Sequence, residues 1–312
     1  MSTEILRVMQ LIVIFMCVVT FVTHGVVRHY SPQNFMELKL RVRTWWTMIF
    51  IFMLAVLLGQ IVSIVFFAIL SFLALREYIS LVRLRQVDRP VLMWMYLMIP
   101  VQSWLIYSNQ YEMFAVFVPV AAFVVISTRM VLAGEMHGFI TSVSTLNWGL
   151  MLTVYMLGHI GFLLVITAGS NISSSNSGLV VFLVLLTELN DAAQYVFGKI
   201  FGRRRDMIKA SPNKTMEGLL GGMVITVTMA VFLRPWLTEF TFLEAFVAGL
   251  LIGCGGFLGD ITISAVKRDL GIKDSGTLLP GHGGILDRVD SLLFTAPLFF
   301  HYIYHMNLYQ VN

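Results

Sequence analysis

Residues Trp45 to Leu75 read WWTMIFIFMLAVLLGQIVSIVFFAILSFLAL, a run of 31 residues without a single charge. A helix needs about 20 residues to cross the hydrocarbon core, so the run is too long for one crossing and slightly short for two. Its flanks decide the matter. Arg28, Lys39, Arg41 and Arg43 precede it, and Arg76, Arg83, Arg85 and Arg89 follow it. Basic residues collect on the cytoplasmic face of a membrane, which wants both flanks on one side. Two helices turning at Gly59-Gln60, or a re-entrant hairpin, satisfy this, and a single crossing does not.

Outward from that run the same pattern repeats. Apolar blocks fall at roughly 6–27, 45–60, 61–82, 91–108, 112–127, 145–168, 178–197, 217–234, 242–259 and 291–308. Of all residues 58% are apolar and 12% charged, against about 25% charged in an ordinary soluble domain. A soluble globular protein is excluded. The expected fold is all-α: a polytopic helical integral membrane protein with nine to ten transmembrane helices. Residues 1–312 form a single membrane domain, in which 1–170 are helices of generic apolar character and 171–312 carry the chemistry. The net charge of +4 is explained by basic cytoplasmic loops, so no nucleic-acid partner is expected. Cys17 and Cys254 sit in separate apolar blocks and form neither a disulfide framework nor a CxxC site. The block from Leu6 to Val27 reads as a transmembrane helix, since no small-x-small cleavage signal precedes His29. Alternation then places Arg129–His137, Lys199–Lys214 and Asp260–Asp290 in the cytoplasm, with Ser108–Glu112, Gly169–Gly178 and both termini outside. The sequon at Asn171 is a weak signal.

Ionisable residues that are not helix-end anchors concentrate after position 185. Glu188 and Asp191 lie three apart on one helical face, followed by Tyr195. A carboxylate at membrane depth faces a polar cavity rather than lipid. Downstream comes Ser211-Pro212-Asn213-Lys214-Thr215, where Thr215 fits a helix N-cap and Lys214 stands where anions are favoured. The richest segment is GDITISAVKRDLGIKDSGTLLPGHGGILDRVDS, Gly259 to Ser291. If helix continues through its start, Asp260, Ser264 and Lys267 share a face. After a glycine turn, Asp287 and Asp290 recur three apart with Arg288 between. Carboxylates interleaved with cations suit a hard cation bridging phosphate oxygens, because Mg²⁺ prefers carboxylates plus substrate phosphate. The glycines are expected to let backbone approach a nucleotide closely.

This segment resembles the signature of the phosphatidate cytidylyltransferases (CDP-diacylglycerol synthases): Ser264, Lys267-Arg268, Lys273-Asp274, Pro280 to Gly284, and Asp287-Arg288-Val289-Asp290. The resemblance covers roughly residues 185 to 300. It implies Mg²⁺-dependent transfer of CMP from CTP to phosphatidate, giving CDP-diacylglycerol and pyrophosphate in phospholipid biosynthesis. It puts the metal-site aspartates on Asp260 and Asp287, with Lys267 and Ser264 completing the catalytic set. Lys214, Ser211, Arg268, Lys273, His282, Gly283, Gly284, Arg288, Asp290 and Asp191 fall to substrate binding. Three departures stand out. Asp191-Ala192-Ala193-Gln194-Tyr195 replaces Asp-x-Gly-Ala-Tyr, Ile263 replaces a glutamate, and Met216 replaces an aromatic. Restoring glutamate at 263 is expected to raise turnover.

The attacking lipid phosphate is already ionised, so a general base such as His282 is not required. The lone His159 reads as a packing residue. The expected setting is the bacterial inner membrane with the site facing the cytosol, and a homodimer is compatible with the sequence. The alternatives are the same chemistry on another lipid phosphate, a diverged non-catalytic lipid-binding member, and, least favoured, an ion-coupled transporter.

Overall fold

In the computed structural model the long apolar run breaks where the charge argument requires. Helix α1 covers Thr3–Val22, α2 Pro32–Leu57 and α3 Gln60–Leu81. Gly59, between α2 and α3, has φ of +104°, a region that glycine enters without a Cβ clash. Across the bend the Ser63 hydroxyl donates to the Ala55 carbonyl at 2.9 Å and Phe52 packs on Phe66. The run is therefore a closed hairpin of two helices. The structure describes residues 3–27, 32–168, 176–203, 208–276, 283–306 and 309–310. The Asn171 sequon, most of the outer loop around it and the Pro280-Gly281-His282 turn lie outside them.

The chain continues through α4 Val91–Tyr107, α5 Tyr111–Val131, α6 Phe139–Leu163, α7 Asn176–Phe201, α8 Met216–Leu237, α9 Phe242–Asp269 and α10 Leu286–His305. Among the described residues, nine helices are long and apolar enough to cross a membrane, and these are α1 to α9. In α10, Asp287, Arg288 and Asp290 occupy the start, ahead of an apolar stretch from Leu292 to Phe300. The protein is a polytopic helical membrane protein. Helix α2 begins at Pro32 rather than near 45 and α10 at Leu286 rather than near 291, and two further boundaries differ from expectation. Helix α6 begins at Phe139 rather than near 145, and Thr167-Ala168 beyond its end pairs antiparallel with Tyr309-Gln310. Helix α9 runs on to Asp269, well past 259, because its polar residues find partners on neighbouring elements.

One core joins α6, α7, α9 and α10 through Phe162, Phe182, Leu186, Ile252, Phe299 and Phe300. A second lies among α3 to α6, with Leu75, Met95, Ile126 and Leu146 at its centre. Helices α9 and α10 touch backbone to backbone: a Cβ on Gly259 would collide with the Asp290 carbonyl oxygen and come within 3.0 Å of Ser291 Cα. Small residues permit such contact between membrane helices, where van der Waals packing replaces the hydrophobic drive.

The loops that carry positive charge gather at one end. Arg85, after α3, donates to the Glu135 and His137 carbonyls before α6 at 3.0 and 2.6 Å. It also pairs with buried Asp88 at 2.7 Å, which accepts from Ser142 Oγ. Arg268 at the end of α9 donates to the Ala210 carbonyl between α7 and α8 at 3.4 Å.

Candidate active site

At that same end, α7 to α10 bring their polar residues together. Thr215 is the N-cap of α8, its hydroxyl accepting the Gly218 amide at 3.0 Å, as its sequence position suggests. The residue before it, Lys214, is thereby aimed across the helix start. Its ammonium lies 2.5 Å from Asp260 Oδ2 and 3.0 Å from Gln194 Oε1, over the Phe257 ring at 5.8 Å. Lys214 thus links α7 to α9. Because α9 stays helical, Asp260, Ser264 and Lys267 do share a face, and Ser264 Oγ donates to Asp260 Oδ1 at 3.3 Å.

One helical turn on, the Lys267 ammonium donates to Asp287 Oδ1 at 2.8 Å. The other Asp287 oxygen accepts the Ser275 amide at 2.8 Å and the Gly284 amide at 3.1 Å. Burial pushes the Asp287 carboxyl up, but the Lys267 ammonium and the two amides outweigh it and hold the group below its ordinary range. Asp290 lies within Coulombic range of Asp260, Asp191 and Lys267, and Glu188 within range of Arg288 and Asp290. Asp191 lies beside the Ser291 hydroxyl, and among the described residues Arg288 Nε is buried with no hydrogen-bond partner. The result is a cluster of five carboxyl groups, Glu188, Asp191, Asp260, Asp287 and Asp290, threaded by Lys214, Lys267 and Arg288 from α7 through α9 to α10.

The remaining expected residues sort by position. Ser211 closes a turn whose carbonyl accepts the Lys214 amide at 3.1 Å. Arg268 and Lys273 are exposed, Arg268 at the rim beside Ala210, and His282 is outside the described residues. Gly283 has φ of +82°, and a Cβ there would sit 2.6 Å from Asp287 Oδ2. The glycine at 284 makes room for a protein side chain: a Cβ on it would collide with Glu77 Oε1 and Ser275 Oγ.

Ile263 is wholly buried among apolar neighbours. A glutamate placed there in this chain would bury a carboxylate, so the expected gain in turnover from restoring it is withdrawn. His159 is likewise fully buried, with Nδ1 at 3.0 Å from the Tyr155 carbonyl and rings of Phe114, Tyr155 and Phe300 around it. It serves packing, toward the opposite end of α10.

With this geometry in view, the profile of the cytidylyltransferase family matches residues 39–306. The chain belongs to the cytidylyltransferase family. It is a nucleotidyltransferase. The phosphatidate cytidylyltransferase of Staphylococcus aureus (strain COL) is 30% identical over 269 residues, covering 84% of this chain and 97% of that protein. That of Synechocystis is 48% identical over 115 residues, 36% of this chain and 39% of its own length. An uncharacterised protein of Escherichia coli (strain K12), YnbB, is 46% identical over 267 residues, or 86% of this chain and 87% of that one. The family match begins at residue 39 and so takes in α3, which the motif alone did not reach.

Two cytidylyltransferase residues escaped sequence reasoning. Glu77, in α3, accepts from Ser275 Oγ and from the Ile285 and Leu286 amides. Its signal was weak: it sits beside Arg76 near the end of α3, where a charge reads as a helix-end anchor. Gln194 was noticed only as a departure, yet its amide oxygen is what Lys214 bonds.

Proposed function

We propose that this chain transfers CMP from CTP to phosphatidate, forming CDP-diacylglycerol and pyrophosphate, at a site facing the cytosol of the bacterial inner membrane. The observation that carries the reading is the pair of lysine-bound aspartates, Lys214 on Asp260 and Lys267 on Asp287, inside the family motif. In the reaction a lipid phosphate oxygen bonds to the α-phosphorus of CTP while the bond to the β-phosphate oxygen breaks. Both reactants are anions, and their repulsion grows as the cavity dries. Lys214 and Lys267 lie ready to move from carboxylate to phosphate, and Arg288 stands beside them at the start of α10. Placing both phosphates in line supplies most of the remaining acceleration. Ser264 and Ser211 offer hydroxyls to phosphate oxygens, and Arg268 and Lys273 extend the positive rim.

Mg²⁺ belongs to this proposal. Among the described residues no group of three His, Cys, Asp or Glu stands ready to hold a metal unaided. Mg²⁺ is commonly bound through one or two carboxylates and completed by substrate phosphates. Asp260 and Asp287 would hold it, with the Asp191 and Asp290 carboxyls beside them. When bound, the ion would neutralise the triphosphate and the leaving pyrophosphate.

Another lipid phosphate as acceptor is favoured by one observation: Gln194, the departure, bonds the site lysine. The deciding experiment incubates purified protein with labelled CTP, Mg²⁺ and vesicles containing phosphatidate, following CDP-lipid and pyrophosphate together. Equimolar appearance of both is expected. No product with phosphatidate, but product with a prenyl phosphate, would transfer the reading to the second acceptor.

A further inference from the structure

Glu77 stands in α3, about two hundred positions before the motif, yet its carboxylate meets the motif at three points. The Ser275 hydroxyl and the Leu286 amide donate to Oε1, the latter at 3.0 Å, and the Ile285 amide donates to Oε2 at 2.8 Å. Ile285 and Leu286 open α10, so Glu77 caps that helix from another element. It satisfies amides that have no partner within the helix, and its charge suits the positive end of the helix dipole. Two glycines record the closeness of approach. A Cβ on Gly284 would collide with Oε1, and one on Gly276 would come within 3.2 Å of Cδ and Oε2. Asp287 grips the same place from the other side through the Ser275 and Gly284 amides. Ser275 and Gly284 are thus clasped between two carboxylates from different helices.

We infer that Glu77 is a positioning residue for the transfer: it closes the neck of the loop between Ser275 and Gly284, fixes the first turn of α10, and so sets where Asp287, Lys267 and Arg288 meet CTP. The inference deepens the proposed function and rests on it. Glu77 touches no reacting atom. Its action passes through Ser275, Gly284 and Ile285, whose drift would carry Asp287 and its lysine with them. Displacements of about 1 Å at reacting groups cost orders of magnitude in rate.

The test uses the full chain in detergent, with Glu77→Ala, Glu77→Gln, Glu77→Asp, Gly284→Ala and the double variant Glu77→Ala/Gly284→Ala. Glu77→Gln should raise KM for CTP about tenfold and leave KM for phosphatidate unchanged, with Glu77→Asp falling between it and wild type. A purely structural loss would instead lower the active fraction at constant KM. Gly284→Ala alone should lose about a hundredfold in turnover, because its methyl displaces the Glu77 carboxylate. The double variant should recover about tenfold over Gly284→Ala, because the Ser275 hydroxyl, no longer held by Glu77, can turn aside and leave the methyl room. Trypsin cleavage after the exposed Lys273 should be faster in Glu77→Ala than in wild type. A double variant no better than Gly284→Ala, or wild-type KM for CTP in Glu77→Gln, would overturn the inference while leaving the proposed function intact. If wild type itself made no CDP-diacylglycerol, the proposed function would fail, and the trypsin comparison would still decide whether Glu77 closes the neck.

Discussion

Asp260 and Asp287 each hold a lysine at hydrogen-bond distance, and asparagine is nearly isosteric with either while carrying no charge. Asp260→Asn and Asp287→Asn should therefore insert and fold, yet lose about two to three orders of magnitude in Mg²⁺-dependent turnover, read as kcat/KM for CTP. Asp269→Asn is the control. Asp269 is exposed at the end of α9, and its variant should be nearly silent. Near-normal activity in both site variants across a Mg²⁺ titration would shift the metal to Asp191 and Asp290. At this scale the sequence was informative wherever spacing carried the message. Asp260, Ser264 and Lys267 could be put on one face by helical periodicity alone. Glu77 could not be joined to the motif that way, because nothing local links a residue of the third crossing to the start of the tenth helix. Gln194 looked like a loss from the family pattern, when in the fold its amide oxygen orients Lys214.

Helix ends and close approaches decide what each element contributes. The turn at Gly59 and the cap at Thr215 were legible because each is a local device, needing one glycine or one hydroxyl. The length of α9 was not legible from hydropathy, since its last turns are polar on the face that meets α8 and α10. What lets those turns reach their partners is the α9–α10 contact at Gly259, beside Asp290. Gly259→Ala adds one methyl against the Asp290 carbonyl, with the Ser291 backbone behind it. Overpacking of this kind costs about 1–3 kcal/mol, so thermal unfolding in detergent should come at lower temperature. Turnover should fall further than stability alone explains, because the displaced backbone carries Asp290. A variant as stable and as active as wild type would show that the two helices separate there without consequence.

Taken as a whole, the molecule has two unlike ends. Arg85 ties the loop after α3 to the loop before α6, Arg268 ties the end of α9 to the loop before α8, and Glu77 ties α3 to the start of α10. The four loops joined by these three ties therefore lie at one end, together with most of the arginines and lysines. Tyr111 and His301, joined at 3.3 Å, mark the other end with the Thr167 to Gln310 pairing. The parity argument from basic loops agrees with this grouping, although charge alone could not say which loops touch. The positive end should face the cytosol, where CTP is found. A chain with Cys17 and Cys254 replaced by serine can carry a single new cysteine at Gln110 or at Lys273, both exposed. A membrane-impermeant maleimide should label Gln110→Cys in right-side-out vesicles and Lys273→Cys only in inverted ones. Bound CTP should slow labelling at Lys273 and leave Gln110 unaffected, because the residues proposed to bind phosphate lie at the Lys273 end. Labelling of both positions from the same side would overturn the ten-helix alternation, and labelling of Lys273→Cys from outside would overturn the cytosolic orientation of the site.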